Sequence, residues 1–302
     1  MKQIIEQLLK ARLHYLINGN DETNWRDAGG FEVIERKRRL FQKRGVQIVK
    51  ANMKAVVKEH WLDEDGASHV NYQTHTAYLC KDGDDMYMEE HMEDRNALLY
   101  DQMVIKDSET PRPRPAAQSY PEPESGDDEM RELLGRAFRY DRLAAVRYAE
   151  TYWNKRNPAY KNFEDNCTNF ISQCIRAGDA PMRGYPNRGK GWWMQNHSWS
   201  YSWTVAHSLR TFLKQSKAGL RAVQKRAAKE LIEGDVICYD FNGDGRFDHV
   251  ALVTAKDKSN MPLVNAQTHD CRMRYWSYED SPAYTSSIRY AFFHISDDTT
   301  KS

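Results

Sequence analysis

Two residues of this chain are best placed to do chemistry: Cys167, in Asp165-Asn-Cys-Thr-Asn-Phe-Ile-Ser-Gln173, and His249, in Phe247-Asp-His-Val-Ala-Leu-Val-Thr254. A thiol opening a helix and facing an imidazole on a strand is the minimum apparatus of a cysteine hydrolase. The ring takes the thiol proton, the sulfur attacks an amide carbonyl, and water cleaves the acyl-enzyme. The Cys167 backbone N–H, with a nearby side-chain donor, would steady the oxyanion. Unpaired N–H groups at a helix start also carry partial positive charge, which favours thiolate. The competing reading is a structural thiol buried in the core. The polar company of Cys167 (Asn166, Thr168, Asn169, Ser172 and Gln173) speaks for a capped helix that lines a site mouth. Cys174 has no such neighbours and reads as core.

These residues need two elements to position them. Helical spacing puts Cys167, Phe170, Ile171, Cys174 and Ile175 on one face, and Ala177-Gly178 is a stop signal. Strand alternation puts His249, Ala251 and Val253 on one face and Val250, Leu252 and Thr254 on the other. Ala251 leaves room for a helix to approach. On the next strand Leu263, Asn265, Gln267 and His269 share a face. Asn265 is the first choice for orienting the imidazole, with His269 and Gln267 as alternatives. A satisfied buried amide is the competing reading of Asn265.

Trp192, Trp193, Trp199 and Trp203 crowd into a Gly-, Asn- and Ser-rich stretch. Two readings stand: an aromatic wall for substrate, with Trp192, Trp193, Trp203 and Asn166 as binding residues, or a loop covering the core. Asp240-Phe-Asn-Gly-Asp-Gly-Arg-Phe-Asp248 matches the start of a calcium loop, but Ala251 stands where the bidentate Glu belongs. A hairpin turn is the better reading. No spacing suggests zinc, so neither metal nor cofactor is expected.

The 302 residues allow two domains. With 44 Lys+Arg against 43 Asp+Glu, the net charge of +1 offers no field for nucleic acid. No run is long and apolar enough to span a membrane. Five widely spaced cysteines and no leader-like apolar run at the start favour free thiols and a cytoplasmic location.

Half of the ten prolines fall between residues 107 and 130 with a cluster of acids, which reads as a linker. Residues 1–106 then form an accessory α+β domain with no catalytic grouping. Helices are expected over Met1–Asn18 and Phe31–Arg44, followed by strands at Gln47–Lys58, Val70–Tyr78, Met86–Met92 and Ala97–Ile105. This helix-then-meander layout is loosely similar to small cystatin-like or cone-shaped folds. Its partner is unknown from sequence. In residues 131–302, helices at Tyr140–Trp153, Asn166–Ala177 and Thr204–Gln215 precede strands at Asp235–Tyr239, His249–Ala255, Pro262–His269 and Ile288–Ile295. Helices first and then an antiparallel sheet is an α+β pattern.

A resemblance now joins these blocks. Tyr140–Trp153, Asn166–Gln173, Ser202–Leu209, Gly234–Thr254 and Pro262–Asp270 together are similar to a bacterial amidase-domain family related to papain-like, NlpC/P60-type cysteine peptidases of cell walls. The likeness covers about residues 138–296. It implies a papain-like domain with Cys167 as nucleophile, His249 as base and a polar third residue, acting on peptide or amide bonds, with peptidoglycan-type peptides as a candidate substrate. The family often carries Asp before the cysteine; here it is Asn166, with Asp165 one step earlier. A non-catalytic binding module using the Trp-rich cleft is the alternative.

Overall fold

The computed structural model describes residues 2–19, 29–110 and 138–298. It has the expected α+β architecture and divides into two units. One comprises Met1–Arg114 with Ser277–Tyr284, the other Pro115–Trp276 with Thr285–Ser302.

In the first unit, helices α1 (Lys2–Asn18) and α2 (Phe31–Arg44) precede strands β1 (Gln47–Leu62), β2 (Ser68–Asp82), β3 (Asp85–Tyr100) and β4 (Met103–Glu109). Consecutive strands pair antiparallel as a meander. The apolar stripe of α1 is what holds it to the sheet: Ile5 and Leu9 pack on Val70, Tyr72, Ala97 and Leu99, and Leu16 joins Phe41, Ile48 and Tyr78. Each such side chain contributes about 1.5–3 kcal/mol when fully buried.

The strands differ from expectation at one point. Met86–Met92 and Ala97–Tyr100 belong to one continuous strand, because Glu93-Asp-Arg-Asn96 keeps register with β2 (Tyr72 opposite Arg95, Gln73 opposite Asp94). Arg95 is tolerated there because it pairs with Asp107 of β4 at 2.7 Å. Asp107 also bonds Arg12 and accepts the Tyr72 hydroxyl at 2.7 Å. Burial opposes charge on Asp107, but Arg95 and Arg12 outweigh it and hold the carboxyl below its usual range. Asp107 is therefore core, and the boundary drawn at residue 106 falls inside a strand. Residues 111–130 of the expected linker lie outside the described residues.

A second polar knot has the shape of a metal site. Glu89, His91 and Asp280 converge. The Lys37 ammonium sits among them, 2.8 Å from Glu89, 3.0 Å from His91 and 3.0 Å from Asp280. An internal cation thus holds the place of an ion.

In the second unit, helices α3 (Arg142–Tyr152) and α4 (Cys167–Ala177) come first. A short hairpin, β5 (Met194–Gln195) and β6 (Ser198–Trp199), leads through α5 (Tyr201–Thr204) to α6 (Ala206–Gln215). Strands β7 (Arg221–Lys225), β8 (Val236–Asp240), β9 (His249–Lys256), β10 (Pro262–Ala266), β11 (Cys271–Tyr275) and β12 (Arg289–Ser296) follow. Within this unit the strand order is β11-β10-β9-β8-β12-β7, all antiparallel. The sequence carries no signal for the short β7 and β11: their charged sequences, Arg-Ala-Val-Gln-Lys and Cys-Arg-Met-Arg-Tyr, give little alternation to read.

Two terminal signals act as expected. The Asp141 side chain caps α3 through the Ala144 N–H at 2.9 Å. Gly178 ends α4, and a Cβ there would lie 2.4 Å from the Tyr140 ring, so close approach requires glycine. Helices α3 and α4 pack on β9 and β10. Among the described residues, no helix is long and apolar enough to cross a membrane.

Candidate active site

Helix α4 begins where β9 and β10 part company. Ladder pairing between those strands ends at Leu252 opposite Asn265. Beyond that point Thr268, just past β10, turns onto the helix start. Its Oγ1 accepts the backbone N–H groups of Asn166 at 2.8 Å and Cys167 at 3.0 Å. On the other side the backbone N–H of Val250, the residue after His249, donates toward the Cys167 sulfur. The cysteine is thereby set against the head of the histidine strand.

Both groups are buried, Cys167 with 6% exposure and His249 with 5%. Burial pushes the Cys167 thiol above its ordinary value. The Thr168 hydroxyl works against that shift, Asp165 adds to it, and the Val250 and Thr168 amides offset part of it. The expected helix-start activation is thus outweighed by desolvation. His249 moves the other way: burial, then the nearby charges of His269 and Arg274, push it down to about 3. Burial thus disfavours the charged form of both the thiol and the imidazole. The His249 ring is bracketed by Tyr239 at 5.6 Å and Phe241 at 6.2 Å between centroids.

Asn265 does not take the orienting role expected of it. His249 lies opposite Tyr239, whereas Asn265 lies opposite Leu252, an odd number of residues along the strand and so on the other face. Its amide nitrogen donates to Glu150 of α3 at 2.7 Å, and its oxygen accepts from Thr254 and the Met273 N–H at 2.9 Å each. Asn265 is a satisfied buried amide. Gln267 is likewise committed, donating to the Tyr152 and Lys155 carbonyls and accepting from Asn166. His269, the remaining alternative, lies close enough to the His249 ring to disfavour its charged form.

The proposed substrate residues also prove internal. Asn166 is 2% exposed, and its side chain bonds Gln267, the Phe163 N–H and Asn169. It ties two loops to the helix start. Trp192, Trp193 and Trp203 have no exposure at all. Their indole N–H groups donate to Ser172, to the Asn187 and Lys190 carbonyls, and to Asn169 respectively. These bonds explain the polar face of α4: Asn169 and Ser172 serve buried tryptophans, and Gln173 serves Tyr148. The core-cover reading is the one the structure supports for these three. Composition alone could not separate it from a cleft wall, because tryptophan suits both.

Trp199 behaves differently. It is half-buried and lines a cavity of about 450 Å³ with Tyr160, Lys161, Met194, Asn196 and His197. The Asp240 loop closes as a turn: its carboxylate accepts the N–H groups of Gly243, Asp244 and Gly245.

Comparison with known proteins places the chain in a family. Over its whole length the chain is 59% identical to "Uncharacterized protein YhbB" of Bacillus subtilis (strain 168), covering 98% of that protein. Half of it is 32% identical to "Uncharacterized protein YjcM" of the same organism, over 37% of that protein. No solved structure gives a significant match. Residues 139–293, which hold Cys167, His249 and strands β7 to β11, match the family described as "Putative amidase domain", and the chain belongs to that family.

Proposed function

We propose that the chain is a cysteine-dependent amide hydrolase of papain-like design, with Cys167 as nucleophile and His249 as general base. The observation that carries this reading is the approach of the Cys167 sulfur to the Val250 amide, one residue from His249, in a domain of an amidase family.

The resting pair is neutral, so proton transfer accompanies attack. As the sulfur bonds to the amide carbonyl carbon, the thiol proton passes to the His249 ring, and negative charge collects on the carbonyl oxygen. The Cys167 backbone N–H, which the Thr268 hydroxyl accepts at 3.0 Å, would serve that oxygen once substrate displaces the hydroxyl. The imidazolium then protonates the leaving amine, and water hydrolyses the thioester. The substrate is a peptide or amide; peptidoglycan-type peptides fit the family resemblance.

Iodoacetamide labelling followed by peptide mapping tests this. Cys167 should react faster than Cys174 and Cys238, which have no exposure, and His249→Ala should slow Cys167 alone. Equal, sluggish labelling of all three would instead support a non-catalytic binding module. That alternative loses its expected recognition surface, since Trp192, Trp193 and Trp203 are enclosed.

A further inference from the structure

The cavity beside Trp199 has a composition that points to one kind of ligand. Its volume of about 450 Å³ is of the size that accepts a side chain or a short peptide segment. Tyr160, Met194 and Trp199 supply apolar wall, and Asn196, His197 and Lys161 supply polar atoms; no Asp or Glu lines it. The Lys161 ammonium lies 4.7 Å from the Trp199 ring centroid and 5.7 Å from that of Phe163. No carboxylate among the described residues pairs with it. A cation against aromatic walls, without an acid of its own, makes a pocket of positive potential.

The pocket is built rather than incidental. Asn196 and His197, at φ 51° and 58°, form the tip of the β5–β6 hairpin. Consecutive left-handed residues there match the twist of a tight two-residue hairpin, so the arm is stiff. Trp199 is held edge-on by Phe163 at 5.0 Å and flanked by the Arg188 guanidinium at 5.1 Å. The opposite wall is fastened to the start of α4. Asn169 donates to the Lys161 carbonyl at 2.9 Å, and the Phe163 N–H donates to Asn166, the residue before Cys167, at 3.1 Å.

We infer that this pocket is a substrate subsite that takes a carboxylate-bearing residue, with Lys161 as the anion contact and Trp199 as the stacking wall. The inference rests on Cys167 being the nucleophile that this subsite serves.

Two measurements on the full chain separate the subsite from the nucleophile. In the first, indole NMR signals are followed while peptides are titrated in, with the Trp199 signal identified by Trp199→Phe. Ac-Ala-Glu-NH2 should shift that signal, Ac-Ala-Gln-NH2 should not, and Lys161→Gln should weaken binding about ten-fold, the loss of one charge-assisted contact. Lys214→Gln, an exposed lysine of α6, serves as the charge control and should change nothing. Ac-Ala-Ala with a free α-carboxylate tells a side-chain acid from a chain terminus. In the second, peptidyl acyloxymethyl ketones alike except for Glu or Gln compete for Cys167. The Glu probe should react faster, and Lys161→Gln should erase its advantage. Equal shifts with Glu and Gln peptides, or a Glu preference that survives Lys161→Gln, overturn the subsite while leaving the nucleophile standing. A Glu-specific, Lys161-dependent shift with no labelling of Cys167 by any probe overturns the hydrolase reading and keeps the carboxylate site.

Discussion

The Thr268 hydroxyl accepts the Cys167 N–H at 3.0 Å while its own backbone sits at φ 84°. A β-branched residue rarely adopts that conformation, and doing so costs on the order of 1–3 kcal/mol. The strain is offset by what the side chain does, since the same oxygen also takes the Asn166 N–H at 2.8 Å. One threonine thus supplies, from the turn after β10, the cap that Asn166 does not make with its own side chain.

Replacing that hydroxyl tests the arrangement. Thr268→Val keeps the shape and strands two buried N–H groups, so stability should fall by about 1–3 kcal/mol. Thr268→Ser should retain most of it. Urea unfolding of the two variants side by side decides the matter; equal losses would mean that the oxygen is not the cap.

His249 sets an acid limit on the fold. Its native value, pushed down to about 3, lies below the unfolded value near 6.5. Stability is therefore complete above about pH 6.5 and declines as pH falls toward 3, because the unfolded chain binds a proton that the native ring refuses. The loss expected from this residue is on the order of 3–5 kcal/mol. His249→Gln should flatten that part of the stability-against-pH curve. An unchanged slope would show that the ring is not buried in its neutral form.

The Cys167 thiol, raised by burial, should alkylate at a rate that climbs on the alkaline side. A preformed thiolate–imidazolium pair would instead give a reactive plateau on the acid side. Iodoacetamide rates from pH 5 to pH 10 in the wild type, read at Cys167 by mass, distinguish the two.

Lys37 neutralises two buried carboxylates, Glu89 and Asp280. Lys37→Met removes that ammonium and should destabilise the first unit by about 3–5 kcal/mol. The loss should shrink at low pH, where the acids protonate. Denaturant unfolding at pH 7 and pH 4 reads both effects.

Trp203 and Trp199 should separate in the same kind of experiment. Trp203 is wholly enclosed and donates to Asn169 at 2.9 Å, so Trp203→Ala should cost about 3–5 kcal/mol. Trp199→Phe, at the cavity wall, should lower the melting temperature far less. A similar drop for both would place Trp199 in the core as well.

The local signals in the sequence were strong wherever a single element decides its own fate. The stripe Phe170, Ile171, Cys174, Ile175 and the stop at Gly178 define α4; the alternation from His249 to Thr254 defines β9; together they nominate Cys167 and His249 before any contact is known. What these patterns lack is register. Whether Asn265 reaches His249 depends on which residue of β9 it opposes, and pairing with Leu252 sends it to the other face and into the hands of Glu150. Burial is equally invisible along the chain. The same tryptophans suit a cleft or a core, and only packing enclosed Trp192, Trp193 and Trp203 while leaving Trp199 beside Lys161. Periodicity is a property of neighbours in sequence, so the chain itself determined its elements and nominated Cys167 and His249. Desolvation and cross-strand partnership arise between residues far apart in sequence, so the tertiary structure alone decided the burial of Cys167 and His249, the cap at Thr268 and the wall of the cavity.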